Sequence, residues 1–153
     1  MARPAEGERD ILETGELNLT EGLAGDTWNQ RPSKRSADGG PHPDMQLNIM
    51  NSRAIALIAQ SPNRWQLAGD QLYVDLDLSE ANLPPGTRLA IGSAVIEITD
   101  QPHTGCSQFS ARFGAGARQL VNSDAGRELR IRGINAKVIR PGSITRQDSI
   151  TKT

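Results

Sequence analysis

A β-rich fold, either a small barrel or an α+β domain, is predicted by three features of the sequence. Several short runs alternate apolar and polar residues, and the clearest is LYVDLDL at residues 72–78. Turn signals such as the Pro-Pro-Gly of residues 84–86 separate these runs. Only two segments have helical periodicity, and strand and helix patterns do not alternate regularly along the 153 residues. This last feature argues against a parallel α/β sheet.

Four further segments extend the predicted sheet. Residues 45–49 alternate apolar with polar side chains, as expected of a half-buried strand. Residues 89–98 form a predicted hairpin, because two apolar runs flank a Gly-Ser pair that suits a type II′ turn. Two short alternating runs, at residues 129–131 and 134–138, complete the set of predicted strands.

Two helices and one long loop are predicted between these strands. The first helix begins at Asn51 or Ser52, either of which can cap it, and ends at Gln60. The second covers residues 109–121, where two glycines weaken it by about 1 kcal/mol each relative to alanine. Residues 29–44 contain three prolines and two glycines. They predict a long exposed loop, which is either functional or a plain surface insertion.

The composition argues against several classes of protein. Seventeen basic and eighteen acidic residues give a net charge of −1, which gives no support to a nucleic-acid or membrane-surface partner. A single cysteine excludes an internal disulfide and fits a reducing compartment. The first residues carry no apolar signal segment, and the longest apolar run, residues 54–59, is far too short to span a membrane. A soluble, cytoplasmic protein is therefore predicted.

The only cysteine, Cys106, lies in the segment DQPHTGCSQFSARFG, where a predicted strand leads into a predicted helix. Helix amides and the neighbouring His103 and Arg112 would favour a thiolate, the form that serves as nucleophile or metal ligand. The residues alone leave three roles open for Cys106: a small buried core residue, a nucleophile paired with His103, or a ligand for a soft metal. Zinc is the weakest metal candidate, because carboxylates would have to complete its shell.

Five segments, in order, carry a family resemblance. Residues 22–26, GLAGD, look like a G-x-x-G-D turn, and residues 45–58 look like the strand and helix that follow it. Residues 69–102 resemble a run from G-E-N-L to Q-P. Residues 104–114, TGCSQFSARFG, resemble a P-C-x-K-L…R segment, and residues 133–144 resemble a closing V-L-x-x-G-x-I strand. The chain therefore resembles the MOSC domain, the module named for the C-terminus of molybdenum cofactor sulfurase.

The resemblance implies a fold and a domain organisation. MOSC domains are small, mostly antiparallel β-barrels, here expected with two or three peripheral helices over residues 20–148. Such barrels usually begin with one or two strands ahead of the G-D turn. Residues 1–19 are therefore expected to be a remnant of a truncated first part of the barrel. Residues 149–153 are expected to be a disordered tail.

The resemblance also implies a function. By position, Cys106 is the family cysteine implicated in binding the molybdenum of a molybdopterin cofactor, and a thiolate suits that metal. A catalytic member would remove oxygen from an N-hydroxylated small molecule by a two-electron reduction. His103 or Asp26 would deliver protons, and a separate ferredoxin or flavin reductase would supply electrons. The alternatives are a carrier of sulfur or cofactor that uses a Cys106 persulfide and works with a cysteine desulfurase, or a degenerate barrel with neither activity.

The phosphate of the pterin would need basic or hydrogen-bonding side chains. Arg112 is the best placed by motif, and the other candidates are Thr104, Arg31, Arg130, Arg132 and Lys137. The chain departs from the family near the cofactor: His103 stands where reductases often have arginine, and Gly105 stands in place of proline. Pyridoxal phosphate belongs to the sulfurase domain that is sometimes fused to MOSC modules, so it is not expected in this chain.

Overall fold

Nine strands and four short α-helices make up the computed structural model, which describes all 153 residues. The strands are β1 Thr14–Asn18, β2 Gly22–Leu23, β3 Leu47–Asn51, β4 Leu72–Val74, β5 Arg88–Ile91, β6 Ala94–Ile98, β7 Ile134–Arg140, β8 Gly142–Thr145 and β9 Ile150–Lys152. The α-helices are α1 Ser52–Ala59, α2 Ser107–Phe113, α3 Ala115–Asn122 and α4 Asp124–Glu128. Short 3-10 helices occur at Trp28–Gln30, Pro43–Met45 and Pro62–Ala68.

The strands form a curled six-stranded sheet and a small three-stranded sheet. The large sheet has the order β4-β3-β7-β6-β5-β9, and only the β3–β4 pair is parallel. The small sheet has the order β2-β1-β8 and is antiparallel throughout. The predicted β-rich, mostly antiparallel barrel architecture is therefore confirmed.

Two hydrophobic clusters hold these layers together. The larger one joins side chains from both sheets, such as Leu17 of β1, Ile96 of β6 and Ile144 of β8. The smaller one lies beneath the helices and contains Phe109 of α2 and Val121 of α3. Fully burying a side chain such as Phe109, which is 2% exposed, stabilises a fold by about 1.5–3 kcal/mol. These two contacts fix α2 and α3 against the sheet.

Three of the predicted elements differ in the structure. The helix predicted over residues 109–121 is divided into α2 and α3, because Gly114 adopts a φ of 91°, which an α-helix cannot contain. The strand predicted at residues 129–131 is wrong, since α4 and the turn after it occupy this region, with the amide of Ile131 donating to the carbonyl of Gly126. The strand predicted at residues 72–78 pairs only over Leu72–Val74.

Both ends of the chain take part in the sheets. Residues 14–18, within the segment expected to be a remnant, form β1, which is central in the small sheet. The prediction of a disordered tail is wrong, because β9 pairs with β5 at the edge of the large sheet. Residues 31–42 connect two 3-10 helices without strand or α-helix, and no residue of the range 29–44 is fully buried, as predicted for a loop. None of the four α-helices has the length and apolar character needed to cross a membrane.

Candidate functional site

Cys106 is exposed and immediately precedes α2. Its backbone is extended, and its carbonyl accepts the first hydrogen bond of the helix from the amide of Ser110, at 3.1 Å. Its thiol makes no capping bond. The role of a small buried core residue is therefore wrong for Cys106, and a nucleophile or a ligand stays open.

The backbone next to Cys106 is fixed against α3. The amide of Gly105 donates to Asn122 Oδ1 at 2.9 Å, and Asn122 Nδ2 donates back to the carbonyl of Gly105 at 2.9 Å. A Cβ at Gly105 would lie 2.7 Å from Val121 Cγ2, which is too close for any side chain. Glycine replaces the proline of the family motif here for these two reasons, because proline has no N–H to donate and brings a ring.

A buried ion pair lies behind the segment that carries Cys106. Arg132 Nη1 donates to both carboxylate oxygens of Asp70, at 3.0 Å and 2.8 Å, and Nη2 donates to the carbonyl of Ala68 at 3.0 Å. The same guanidinium lies 4.9 Å from the ring centre of Phe109 on α2. Burial raises the pKa of Asp70, while the charge and hydrogen bonds of Arg132 oppose that rise. The pair links the turn before β7 and the 3-10 helix at Pro62–Ala68 to α2.

His103 lies against this ion pair. Its Nδ1 is 3.6 Å from Asp70 Oδ1 and makes no hydrogen bond, and only 13% of its side chain is exposed. Burial, and then the charges of Arg132, Arg3 and Arg35, hold the pKa of His103 well below its usual value. The ring is therefore neutral at pH 7, and it lacks the extra proton that a general acid would deliver.

Asp26 is fully engaged by the N-terminal segment. Its carboxylate accepts from Arg3 Nε at 2.9 Å and from Arg3 Nη2 at 2.7 Å, and also from the amide of Trp28 and the side chain of Gln71. Burial favours the neutral acid, but the hydrogen bonds and charge of Arg3 outweigh it, so the pKa of Asp26 lies below its usual value. The predicted role of Asp26 in proton delivery is not supported, because a buried, ionised and fully bonded carboxylate has no proton to give.

Four arginines from distant parts of the chain come together near Gly69, the residue before Asp70. We call them the arginine cluster: Arg3, Arg9, Arg31 and Arg112. Arg9 Nη2 and Arg112 Nη1 lie 3.8 Å and 3.9 Å from the point where a Cβ on Gly69 would stand, and Arg3 donates to the carbonyl of Gly69 at 3.1 Å. Burial and then the charges of Arg112 and Arg3 lower the pKa of Arg9. Burial and then the charge of Arg3 lower the pKa of Arg31.

Only Arg3 in this cluster has a carboxylate partner. Arg9 donates to the carbonyls of Gln66 and Glu8. Arg31 donates to the hydroxyl of Thr27, and Arg112 to the carbonyl of Leu67 at 2.8 Å. Three guanidinium groups are therefore uncompensated in the sense that no carboxylate lies within salt-bridge distance, an arrangement that favours the binding of an anion.

Comparison with known proteins identifies the family. The family model of the MOSC domain matches residues 26–151 of this chain. This chain belongs to the MOSC domain family. No curated protein matches it.

Solved structures share the fold of this MOSC domain. YiiM from Escherichia coli superposes with a TM-score of 0.62 at 21% identity, over 96% of this chain and 65% of that one. A hypothetical protein gives 0.61 at 22%, over 93% and 61%. YuaD from Bacillus subtilis gives 0.56 at 20%, over 91% and 84%. This MOSC domain thus spans less than two thirds of the length of the first two relatives.

The remaining predicted cofactor residues of the MOSC domain have other environments. Arg132 is neutralised by Asp70, and Lys137 Nζ donates to Asp44 at 2.9 Å, a hydrogen bond that raises the pKa of Lys137. Arg130 Nη1 donates to the carbonyl of Leu83 at 2.7 Å, and its Nη2 lies 3.7 Å from Glu80 Oε2. Thr104 is exposed beside Cys106. Arg31 and Arg112 are the predicted basic residues that keep an uncompensated charge.

Three residues of the site were not predicted as functional from the sequence. Arg3 and Arg9 lie in a segment without periodicity, and no local signal connects them with Gly69, which is 60 or more residues away. Asp70 belongs to residues 69–102, which carry part of the family resemblance, but nothing local marks it as functional. Its buried position beside His103 depends on a tertiary contact. No group of three or more His, Cys, Asp and Glu side chains could hold a metal in this MOSC domain.

Proposed function

We propose that this MOSC domain binds a molybdenum-pterin cofactor through the thiolate of Cys106 and the arginine cluster. The observation that carries the proposal is the set of three uncompensated guanidinium groups beside the elements that carry Cys106. Gly69 lies within the cluster, and the next residue, Asp70, faces His103 in the segment before Cys106. Arg112 lies on α2, the helix that begins directly after Cys106.

The residues present fit the two ends of such a cofactor. Cys106 is exposed and its thiol makes no capping bond, and a thiolate suits molybdenum that is already chelated by sulfur. The protein offers no cluster of three or more His, Cys, Asp and Glu ligands, so in this proposal Cys106 is its single ligand to a metal that the pterin chelates. Arg9, Arg31 and Arg112 keep N–H groups and charge for the pterin phosphate, because backbone carbonyls and a hydroxyl, rather than carboxylates, hold them.

The reaction class that we propose is the two-electron removal of oxygen from an N-hydroxylated small molecule, in the cytoplasm. The bound cofactor would supply the redox and oxygen-accepting chemistry. The protein would contribute Cys106 as ligand, the arginine cluster as phosphate clamp and His103 as a neutral hydrogen-bonding group. A separate ferredoxin or flavin reductase would donate the electrons.

One observation favours a second candidate function, a sulfur carrier. Cys106 is exposed, and its thiol is not used to cap α2, so a cysteine desulfurase could reach it. In this alternative the thiol holds a persulfide and the arginine cluster serves only to bind an anionic partner group. If the protein carries neither molybdenum nor a persulfide, we infer a degenerate barrel with neither activity.

The deciding experiment measures molybdenum and pterin in protein purified from a molybdenum-replete host. We expect near-stoichiometric molybdenum in the wild type, none in Cys106→Ser, and a large loss of pterin in the double variant Arg9→Gln/Arg112→Gln. The matched control is Arg127→Gln/Arg140→Gln, which removes the same charge from two exposed arginines. Wild-type protein without molybdenum, but with the mass of an extra sulfur atom on Cys106, would replace the cofactor proposal by the carrier.

A further inference from the structure

The two ring nitrogens of His103 have different surroundings. Nδ1 is buried and has no hydrogen-bond partner. Nε2 makes no hydrogen bond either, but unlike Nδ1 it is accessible to solvent. The 13% of the side chain that is exposed therefore includes the one polar atom of the ring that a bound molecule can contact.

The group that faces Nδ1 is a fixed carboxylate. Asp70 Oδ1 lies 3.6 Å away, slightly beyond hydrogen-bond length, and the Asp70 side chain is completely buried. Two hydrogen bonds from Arg132 prevent the carboxylate from rotating away. A Cβ on Gly133 would approach Nδ1 to 3.2 Å, so the backbone just before β7 confines the ring from another side. The imidazole is thus held in place with Nδ1 towards Asp70.

This arrangement discriminates between the two neutral tautomers of His103. In a neutral imidazole one nitrogen carries the proton and the other carries a lone pair. A proton on Nδ1 points a positive dipole at the carboxylate, whereas a lone pair there would be repelled by it, and low-dielectric surroundings strengthen both effects. The doubly protonated form is disfavoured, because burial, and then the charges of Arg132, Arg3 and Arg35, lower the pKa of His103.

We propose that Asp70 is a positioning residue that holds His103 in its Nδ1–H tautomer, so that Nε2 presents a lone pair three residues before Cys106. A molecule bound there is recognised by a hydrogen-bond donor, and the hydroxyl of an N-hydroxylated compound provides one. The identity of that molecule rests on the proposed function. The tautomer is a property of the protein alone, since the nitrogen bonded to hydrogen is set by what the other nitrogen faces.

The test is a long-range 1H–15N correlation spectrum of protein labelled with 15N in histidine, recorded at pH 7.5 without cofactor. The chain has only two histidines, so a His42→Gln variant assigns the signals of His103. We expect a pyrrole-like Nδ1 and a pyridine-like Nε2 for His103. A pyridine-like Nδ1, an averaged pair of shifts or an imidazolium would each overturn the proposal, and the wild-type protein alone gives this answer.

Variants then test whether Asp70 is the cause. Asp70→Asn can offer its amide N–H to Nδ1, so we expect the His103 signals to shift towards the Nε2–H tautomer. Asp70→Glu retains the carboxylate and should retain the wild-type pattern, and Asp75→Asn, at an exposed carboxylate, is the control. A folded Asp70→Asn protein that keeps the Nδ1–H tautomer would remove Asp70 from the proposal. The tautomer is measured without cofactor, so a wild-type protein that binds no molybdenum would leave this result unchanged. The two proposals can therefore fail separately.

Discussion

Arg3 and Asp26 meet in a two-pronged ion pair, with Nε donating to Oδ1 at 2.9 Å and Nη2 donating to Oδ2 at 2.7 Å. Both side chains are nearly inaccessible, at 8% and 0% exposure. Arg3 also donates to the carbonyl of Gly69, so the pair fastens the segment before β1 to the wall of the site.

Removing Arg3 should therefore destabilise the whole domain. Arg3→Ala leaves the carboxylate of Asp26 buried without its counter-charge, and we expect the free energy of unfolding in urea to fall by about 3–5 kcal/mol. Arg53→Ala is the control, because Arg53 and Asp75 form an exposed pair whose loss should hardly change the unfolding free energy. An equal decrease in unfolding free energy for Arg3→Ala and Arg53→Ala would contradict the claim that burial makes the Arg3–Asp26 pair important for stability.

Stability should depend on pH through His103. The pKa of His103 is depressed in the folded state, whereas the unfolded chain binds a proton near the ordinary value of about 6.5. Below that pH only the unfolded state takes up the proton, so unfolding becomes easier as pH falls, by up to about 1.4 kcal/mol per pH unit. Denaturation curves between pH 7.5 and pH 5 should show this slope in the wild type and a reduced slope in His103→Gln. A His42→Gln variant that reduces the slope equally would contradict the assignment.

Inorganic phosphate should stabilise the protein through the arginine cluster. An anion that binds only the folded state raises the unfolding free energy by about 1.4 kcal/mol at ten times its Kd. We expect a higher Tm in phosphate than in chloride of equal ionic strength for the wild type and for Arg127→Gln/Arg140→Gln. The difference should vanish in Arg9→Gln/Arg112→Gln. A phosphate effect that survives in this variant would place the anion elsewhere.

Two helical glycines should respond oppositely to alanine. Gly116 of α3 has open space where a Cβ would stand, so Gly116→Ala should stabilise the protein by about 0.5–1 kcal/mol. Gly126 of α4 lies against the backbone carbonyls of Leu120 and Val121, so Gly126→Ala must displace main chain and should destabilise it. Thermal melts should show a higher Tm for Gly116→Ala and a lower Tm for Gly126→Ala than for the wild type.

Alternation in the sequence located the strands that are buried on one face or both, and it failed elsewhere. Strands β3, β6 and β7 were predicted because their apolar residues repeat regularly and are buried. Strand β1 was missed, since Leu17 is its only buried residue. The strand predicted at residues 129–131 came from a misleading alternation, in which Leu129 is exposed and only half-buried Ile131 contacts a hydrophobic cluster.

The candidate site was predictable only where its residues are close in sequence. Cys106, His103 and Arg112 could be singled out because one segment carries all three. The partners that decide the state of each charge come from afar: Asp44 neutralises Lys137 across 93 positions, and Asp70 neutralises Arg132 across 62. No local pattern encodes such pairings, so the basic residues that remain available for an anion could be recognised only in three dimensions.

The antiparallel pairing of β1 with β8 has a kinetic consequence. Thr14 is paired with Thr145, 131 positions later, so β1 and β8 cannot pair until residue 145 has been made. At a synthesis rate of about 5–20 residues per second, β1 can pair with β2 at once but waits on the order of ten seconds for β8. During this interval its backbone edge is open to wrong pairing. Contacts so distant in sequence also slow refolding. Closure of the small sheet should therefore be a late event, both at the ribosome and in a refolding experiment.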